Sequence, residues 1–183
     1  MSEIFGCSLK SVKKTYGYEG EGFIANLCID GKKAGTVADY GDGGCMDINL
    51  DGREVSEILN ERRKKYFEKF PVSNEPFKVI CDNTGIETKM DNPFENNETF
   101  ISDIYDLYEK EKFFKKNFKK GFSVMVTTDY PINVEGPTPV PTMTCFGGKE
   151  PEKLADKFIK EQKEKCDSVI IGMYKSLSDF VVL

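Results

Sequence analysis

Apolar and polar residues alternate along much of the segment 4–50, as they do in strands that bury one face. The alternation predicts four strands, over residues 4–13, 22–30, 33–39 and 45–50. A connecting loop is predicted over 14–21, and a tight hairpin turn at Asp30-Gly31, because glycine tolerates a positive φ. The apolar face carries Phe5, Cys7 and Leu9 in the first strand and Phe23, Ala25, Leu27 and Ile29 in the second. We therefore predict an antiparallel meander with one buried face.

A helical period replaces the alternation in three later segments. The spacing predicts helices over about 53–70, 97–119 and 150–165. Asp51 is the expected N-cap of the first helix, and Pro71 ends it. The second helix begins with acidic residues and ends with lysines, which complements the helix dipole, and Gly121 is the expected glycine after its end.

The apolar stripes of these helices predict which side chains are buried. In the first helix they are Val55, Ile58, Leu59, Tyr66 and Phe70. In the second they are Phe100, Ile104, Leu107, Tyr108, Phe114 and Phe118, widened by Ile101 and Tyr105. In the third they are Leu154, Phe158 and Ile159. Further strands are predicted over 122–128, 142–146 and 169–173, with the first of these central because it is apolar on both faces.

These elements predict an α+β fold over residues 1–183, as one domain. A mostly antiparallel twisted sheet, with the meander at its N-terminal end, packs against two or three helices. The chain length of 183 residues is sufficient for one sizeable core.

Composition narrows the classes of function. The chain has a net charge of −5 and no histidine. The acidic balance favours a soluble cytoplasmic protein over a general nucleic-acid binder, and the missing histidine removes the commonest general base and metal ligand. The six cysteines show no C-x-x-C spacing and are interpreted as reduced thiols. No apolar run approaches the roughly 20 residues that cross a bilayer, so no membrane partner is expected.

The loop after the third strand holds the strongest candidates for a catalytic or metal-binding site. Asp39, Asp42 and Asp47 lie around a glycine-rich stretch, and such carboxylates can surround Mg²⁺ or Ca²⁺. The spacing matches neither an EF-hand nor a phosphate-binding P-loop. The favoured interpretation is a wide hairpin loop in which aspartates bond to the local backbone. No catalytic residue, metal or cofactor is predicted, and these three aspartates are the candidates if a metal does bind.

The preceding glycine-rich segment, 16–22, predicts either a surface loop, the favoured interpretation, or a ligand loop. Together with the aspartate loop it supplies the candidate loop residues, which are Tyr18, Glu19, Glu21, Gly43 and Gly44.

Two other segments are candidates for partner contact. In the favoured interpretation, the lysines at the end of the second helix form a solvated face. In the alternative interpretation, they contact the phosphates of a nucleic acid or an acidic patch on a protein partner. They are Lys112, Lys115, Lys116, Lys119 and Lys120, within the cluster Lys110–Lys120. The proline-rich segment 131–141, with Pro137 and Pro139, is an ordinary connection or a stiff contact loop that loses little entropy on binding.

Residues 20–44 combine turn glycines with alternating strand residues. They read Gly-x-Gly-Phe-x-Ala-x-Leu-x-Ile-Asp-Gly-Lys-Lys-x-Gly-x-Val, followed by Gly-x-Gly-Gly. This pattern resembles a group of small proteins of unassigned function from phages, prophages and other mobile elements. The group has a short antiparallel sheet, then helices, with a basic helix end that leads into a strand. Residues 105–120 and 122–128 fit that order, and 142–146 with the helix after it fit the group's C-terminal part, whereas the proline-rich insertion at 131–141 departs from it.

The resemblance carries no catalytic residues, but it implies a class of function. Small acidic proteins of mobile elements often bind and block host machinery. The leading expectation is a non-enzymatic binding protein that inhibits a host defence nuclease complex, a protein or ribonucleoprotein, in the manner of an anti-CRISPR inhibitor. One alternative is a metal-dependent phosphate- or nucleotide-processing enzyme that uses Asp39, Asp42 and Asp47. Another is a nucleic-acid-binding accessory protein that uses the cluster Lys110–Lys120.

Overall fold

Three α-helices and several short β-sheets make up the computed structural model, which describes residues 1–72, 78–80, 87–89, 92–129, 142–166 and 169–183. The helices are α1 (Arg53–Lys69), α2 (Asn97–Phe118) and α3 (Pro151–Cys166), and a short 3₁₀ helix spans Leu177–Phe180. The strands are β1 (Glu3–Ile4), β2 (Cys7–Tyr16), β3 (Glu21–Ile29), β4 (Lys32–Asp39), β5 (Asp47–Leu50), β6 (Lys78–Ile80), β7 (Glu87–Lys89), β8 (Phe122–Asp129), β9 (Thr142–Gly147), β10 (Val169–Tyr174) and β11 (Val181–Val182).

The chain divides into two compact units. The first unit comprises Ser2–Asp106 and Val182–Leu183, and the second comprises Leu107–Val181 and Met1, so that the boundary falls within α2. The α+β class with an N-terminal antiparallel meander is confirmed. The prediction of one domain with boundaries 1–183 stays a prediction.

The meander forms most of a six-stranded sheet in the order β11-β1-β2-β3-β4-β5. Its register pairs Leu9 with Leu27 and Ala25 with Val37, all of them buried. Phe23 and Ile29 are also buried, which confirms the predicted apolar face of β3. Burial of this face is the main driving force for the first unit, at about 25 cal/mol per Å² of apolar surface.

Two tight turns shape the start of the meander. Asp30 and Gly31 have φ values of 48° and 77°, which confirms the predicted hairpin turn. Phe5 and Gly6 form a similar turn, with φ values of 47° and 78°. The prediction of one strand over 4–13 is therefore wrong, because this turn separates β1 from β2. The predicted loop 14–21 is also too long, since β2 continues to Tyr16 and β3 begins at Glu21.

Helix α1 buries Leu59 as predicted, but it also buries Phe67, which the predicted stripe omitted. Phe70 was predicted to be buried and is 44% exposed, since it lies just past the last helical residue. The N-cap prediction is wrong as well: the cap position is Gly52, and no side chain bonds to the helix start. The helix ends at Lys69, before Pro71, as expected.

Helix α2 contributes a buried stripe to each unit. In the first unit Phe100, Ile101 and Ile104 have no solvent-exposed surface, and in the second Phe114 is buried, as predicted. Phe118 was also predicted to be buried, but it is 58% exposed because it occupies the last turn of the helix. Gly121 has the positive φ, 90°, that is typical of a glycine that follows a helix.

The second unit contains a three-stranded sheet in the order β10-β8-β9, so β8 is central, as its two apolar faces predicted. Val124 and Val126 of β8 pack with Ala155 of α3, and Phe158 and Ile159 pack against this cluster. Leu154, a predicted inward residue of α3, is instead 51% exposed. Its neighbour Ala155 is fully buried and packs with Val124 and Val126 of β8.

Pro137 and Pro139, with the rest of the segment 131–141, lie outside the described residues. Their role in partner contact stays a prediction. None of the helices in the described part of the chain combines the length and the apolar character that a membrane span requires.

Candidate functional site

Two glycine-rich loops meet at one end of the meander. One joins β2 to β3 and comprises residues 17–20, and the other follows β4 and comprises residues 40–44; together we call them the double loop. The backbone N–H of Glu19 donates to the carbonyl of Gly41 at 2.8 Å. The antiparallel register, which pairs Tyr16 with Glu21 and Phe23 with Asp39, places both loops at the same end of the sheet.

Two aspartates, one at the end of β4 and one in the double loop, bond to the backbone of the double loop. Asp39 Oδ1 accepts a hydrogen bond from the Gly41 N–H at 2.8 Å, and Asp42 Oδ1 accepts one from the Tyr18 N–H at 3.0 Å. Asp47 lies on β5 opposite Ala38 and is exposed. In the segments that the structure describes, no group of three or more cysteine, aspartate or glutamate side chains could hold a metal ion. Asp39 and Asp42 therefore stabilise the loops in this structure.

Close approach explains why the double loop is rich in glycine. A Cβ atom on Gly17 would collide with the Asp42 carboxylate, and one on Gly41 would collide with the Gly20 carbonyl. Gly41 also has a φ of 73°, a left-handed conformation that side chains disfavour. The two loops can therefore interlock only with glycine at these positions.

The two other predicted glycines differ from each other. Gly43 has a φ of 72°, and a Cβ there would meet only the end of the flexible Glu19 side chain. Gly44 is exposed and would meet nothing if it carried a Cβ. Of the two, only Gly43 has the left-handed backbone conformation that favours glycine.

Three tyrosines project from this end of the sheet. Tyr16 is 76% exposed, Tyr18 is 97% exposed and Tyr40 is 49% exposed. We call these residues, with Glu19 and Asp42, the tyrosine surface. The predicted loop residues included Tyr18 but not Tyr40, and Tyr16 entered only as the first residue of the predicted segment 16–22. The available signal was that tyrosine adjoins glycine three times, at 16–17, 17–18 and 40–41.

Glu21 is held in place beside this surface. Its Oε1 accepts hydrogen bonds from Lys14 Nζ at 2.5 Å and from the Tyr105 hydroxyl at 3.2 Å. The Tyr105 ring stacks on Phe23 with centroids 4.0 Å apart. The hydrogen bond from Lys14, followed by those from Tyr105 and Tyr16, lowers the pKa of Glu21 below its ordinary value. Glu21 thus connects β2, β3 and α2 within the first unit.

The predicted lysine cluster is partly neutralised. Lys112 pairs with Glu109 at 3.0 Å, and Lys115 pairs with the buried Glu111 at 2.7 Å. The remaining predicted contacts, Lys116, Lys119 and Lys120, are exposed and have no ion pair with any described residue. These three, which we call the lysine end, are the part of the cluster that is available to a partner.

A cleft of about 510 Å³ in the first unit holds none of the predicted site residues. Its lining combines the cations Arg63 and Lys64 with the carboxylates Glu68 and Glu95. Because the charges are mixed, the cleft selects no single class of charged ligand.

Comparison with known proteins leaves the function to the site itself. No protein-family model matches the chain, and neither the curated proteins nor the solved structures include a match. The fold and site define an α+β protein with an interlocked double loop that presents exposed tyrosines.

Proposed function

We propose that this chain is a non-enzymatic binding protein of a phage or other mobile element, that it inhibits a host defence nuclease complex, and that the tyrosine surface makes the contact. The exposure of Tyr16, Tyr18 and Tyr40 on the double loop is the observation that carries the binding role. The choice of a defence complex as the target is supported by the resemblance of residues 20–44 to proteins of mobile elements.

Exposed tyrosines on a fixed backbone are well suited to protein recognition. A tyrosine ring offers a large contact area and a hydroxyl, and only two side-chain torsions must be ordered on binding. The hydrogen bonds from Tyr18 to Asp42 and from Glu19 to Gly41 hold the backbone in place before a partner arrives. Preorganisation of this kind reduces the entropy that binding must offset.

The test is a pull-down from host lysate together with a protection assay for phage or plasmid in cells. The wild type is expected to recover a component of a defence nuclease and to protect. A variant with Tyr16→Ser, Tyr18→Ser and Tyr40→Ser is expected to lose both activities while keeping its thermal stability. The matched control carries Leu154→Ser and Leu177→Ser, which are exposed apolar residues of the second unit, and is expected to behave as wild type.

Two results would overturn the proposal. If the wild type recovers no defence component and gives no protection, the inhibitory role is wrong. If the tyrosine variant still protects as well as the wild type, the tyrosine surface is not the contact site.

The lysine end favours a second candidate function, that of a nucleic-acid-binding accessory protein. Lys116, Lys119 and Lys120 present three unneutralised charges in a short stretch of chain. Phosphate contacts of this kind give binding that weakens steeply with salt. Reversal of Lys116 and Lys119 to glutamate is expected to abolish such binding, whereas reversal of the exposed Lys32 and Lys33 in β4 serves as a charge-matched control. Binding that does not depend on salt would contradict this candidate.

A further inference from the structure

We infer that the tyrosine surface binds an arginine-bearing segment of its partner protein. This inference rests on the proposed function, which makes the tyrosine surface the contact site. It goes further by naming the chemistry of the partner, and it follows from the exposed carboxylates that share the double loop with Tyr18 and Tyr40.

The double loop and the strand residues beside it are acidic. Segments 14–22 and 39–44 contain four carboxylates, namely Glu19, Glu21, Asp39 and Asp42, and one lysine, Lys14. Lys14 already pairs with Glu21. Glu19 and Asp42 are exposed, and no cationic side chain among the described residues pairs with either of them. The surface therefore has negative charge that a partner can neutralise.

The neighbouring rings specify the cation more closely. Glu19 directly follows Tyr18, and Asp42 lies two positions after Tyr40. A planar guanidinium can stack on a tyrosine ring while its N–H groups donate to a carboxylate, and it is more weakly hydrated than an ammonium group. An arginine side chain is therefore stabilised both by the tyrosine rings and by the carboxylates, whereas a lysine side chain is stabilised chiefly by the carboxylates.

Other occupants fit less well. Carboxylates repel phosphates, so nucleic acid is disfavoured at this surface. A second copy of the chain could offer its lysine end, which is cationic but contains no arginine. The test below separates this occupant from an arginine-bearing partner.

The experiment measures fluorescence anisotropy of labelled peptides with the full-length chain. Three short peptides of equal length alternate glycine with arginine, with lysine or with glutamate. The arginine peptide is expected to bind roughly fivefold tighter than the lysine peptide, and the glutamate peptide is expected not to bind. Raising the ionic strength is expected to weaken the binding of both cationic peptides, since exposed charges are screened.

Substitutions on the tyrosine surface, and a control that removes the same number of carboxylates elsewhere, show whether this surface binds the arginine peptide. Two double variants are each expected to lower the affinity for the arginine peptide roughly tenfold: Glu19→Gln/Asp42→Asn and Tyr18→Ser/Tyr40→Ser. The control Asp51→Asn/Glu54→Gln removes two exposed carboxylates elsewhere in the first unit and is expected to leave the affinity unchanged. Equal weakening by the charge variant and its control would show only general attraction and would overturn the inference.

Two outcomes separate this inference from the proposed function. If the arginine peptide binds no better than the lysine peptide, but the variant Tyr16→Ser/Tyr18→Ser/Tyr40→Ser loses protection in cells, the inferred arginine-bearing partner is wrong. The tyrosine surface then remains the contact site. If the arginine peptide behaves as expected but the variant Tyr16→Ser/Tyr18→Ser/Tyr40→Ser still protects cells, the tyrosine surface is not the contact through which the chain inhibits, and that part of the proposed function is wrong. A dimer in solution that Lys116→Glu/Lys119→Glu dissociates would assign the surface to a second copy and overturn the inference.

Discussion

Gly41 and Gly17 are the residues on which the interlocked geometry of the double loop depends. Each occupies a position where a Cβ would collide with the opposite loop, and Gly41 also has a positive φ. Asp39 and Asp42 complete the arrangement by accepting backbone N–H groups. Two of the three aspartates that suggested a metal site, Asp39 and Asp42, therefore have a role in holding the backbone.

Gly41→Ala is expected to lower the free energy of unfolding by about 2 kcal/mol, because a left-handed conformation and a collision with the Gly20 carbonyl both oppose the side chain. The matched control is Gly44→Ala, where a Cβ meets open space, and its effect is expected to stay within about 0.5 kcal/mol. Urea unfolding measures both values. Equal stabilities of the two variants would show that the loops do not interlock in solution.

Asp42→Ala is expected to destabilise the protein by about 1 kcal/mol, since the Tyr18 N–H loses its acceptor. Asp42→Asn keeps an acceptor oxygen and is expected to cost less. Thermal unfolding with and without Mg²⁺ separates this role from the metal-dependent alternative. That alternative requires Mg²⁺ to raise the Tm of the wild type and not that of Asp42→Asn, whereas the structural role predicts no effect of Mg²⁺ on either protein.

Glu21 is expected to titrate below its ordinary pKa of 4.5, chiefly because of the hydrogen bond from Lys14. Its contribution to stability is present above 4.5 and is lost as the pH falls through the lowered value in the folded protein. NMR titration of the glutamate side chains is expected to show the pKa rise towards 4.5 in Lys14→Met. Lys13→Met, at the neighbouring position in β2, is the control and should leave the pKa unchanged; an equal shift would contradict the assigned cause.

At the scale of elements, helix α2 shows how position decides burial. Its apolar stripe is regular, yet Phe114 is 3% exposed and Phe118, one turn later, is 58% exposed. Phe114 contacts Phe180 with centroids 5.5 Å apart. A helical period predicts a shared face, but only the packed neighbours determine how far along the helix that face is covered.

Phe114→Ala is expected to destabilise the protein by about 3 to 5 kcal/mol, the cost of a large cavity in a core. Phe118→Ala, the same substitution on the same helix, is expected to cost less than about 1 kcal/mol because its ring is mostly solvated. Chemical denaturation monitored by circular dichroism measures both. Similar losses for the two variants would show that the last turn of α2 is covered in solution.

At the scale of the whole molecule, the acidic tyrosine surface and the lysine end belong to different units. The first unit carries the acidic tyrosine surface, and the second carries the lysine end. The net charge of −5 conceals this division. The two surfaces can therefore be tested independently, one with a protein partner and the other with nucleic acid.

Cys7 provides a measure of global stability. It is fully buried, and burial raises the pKa of its thiol to about 12, so it is expected to react with a thiol reagent only when the protein unfolds. Cys45 is exposed and is expected to react at once. The measurement is the labelling rate of two single-cysteine variants, one that retains only Cys7 and one that retains only Cys45. Fast labelling of Cys7 under native conditions would contradict the closed core of the first unit.

The site illustrates how far sequence reasoning reached. The glycines of both loops and the aspartates around the second were recognised as candidates. The favoured interpretation, in which aspartates bond to the local backbone, holds for Asp39, whereas Asp42 bonds to the Tyr18 N–H of the other loop. The contact between Glu19 and Gly41 could not be foreseen, because it depends on the register of three strands and joins residues far apart in the chain. The same register brings Tyr16 and Tyr40 to one end of the sheet.

The sequence by itself determined the elements that arise from local sterics and periodicity: the meander, the Asp30-Gly31 turn, the three helices and the central position of β8. These features follow from backbone preferences and from alternation over a few residues. Tertiary structure alone decided which end of a stripe is buried, as at Phe114 and Phe118, and which loops interlock. Those outcomes depend on contacts between distant segments, whose close packing leaves no local trace in the sequence.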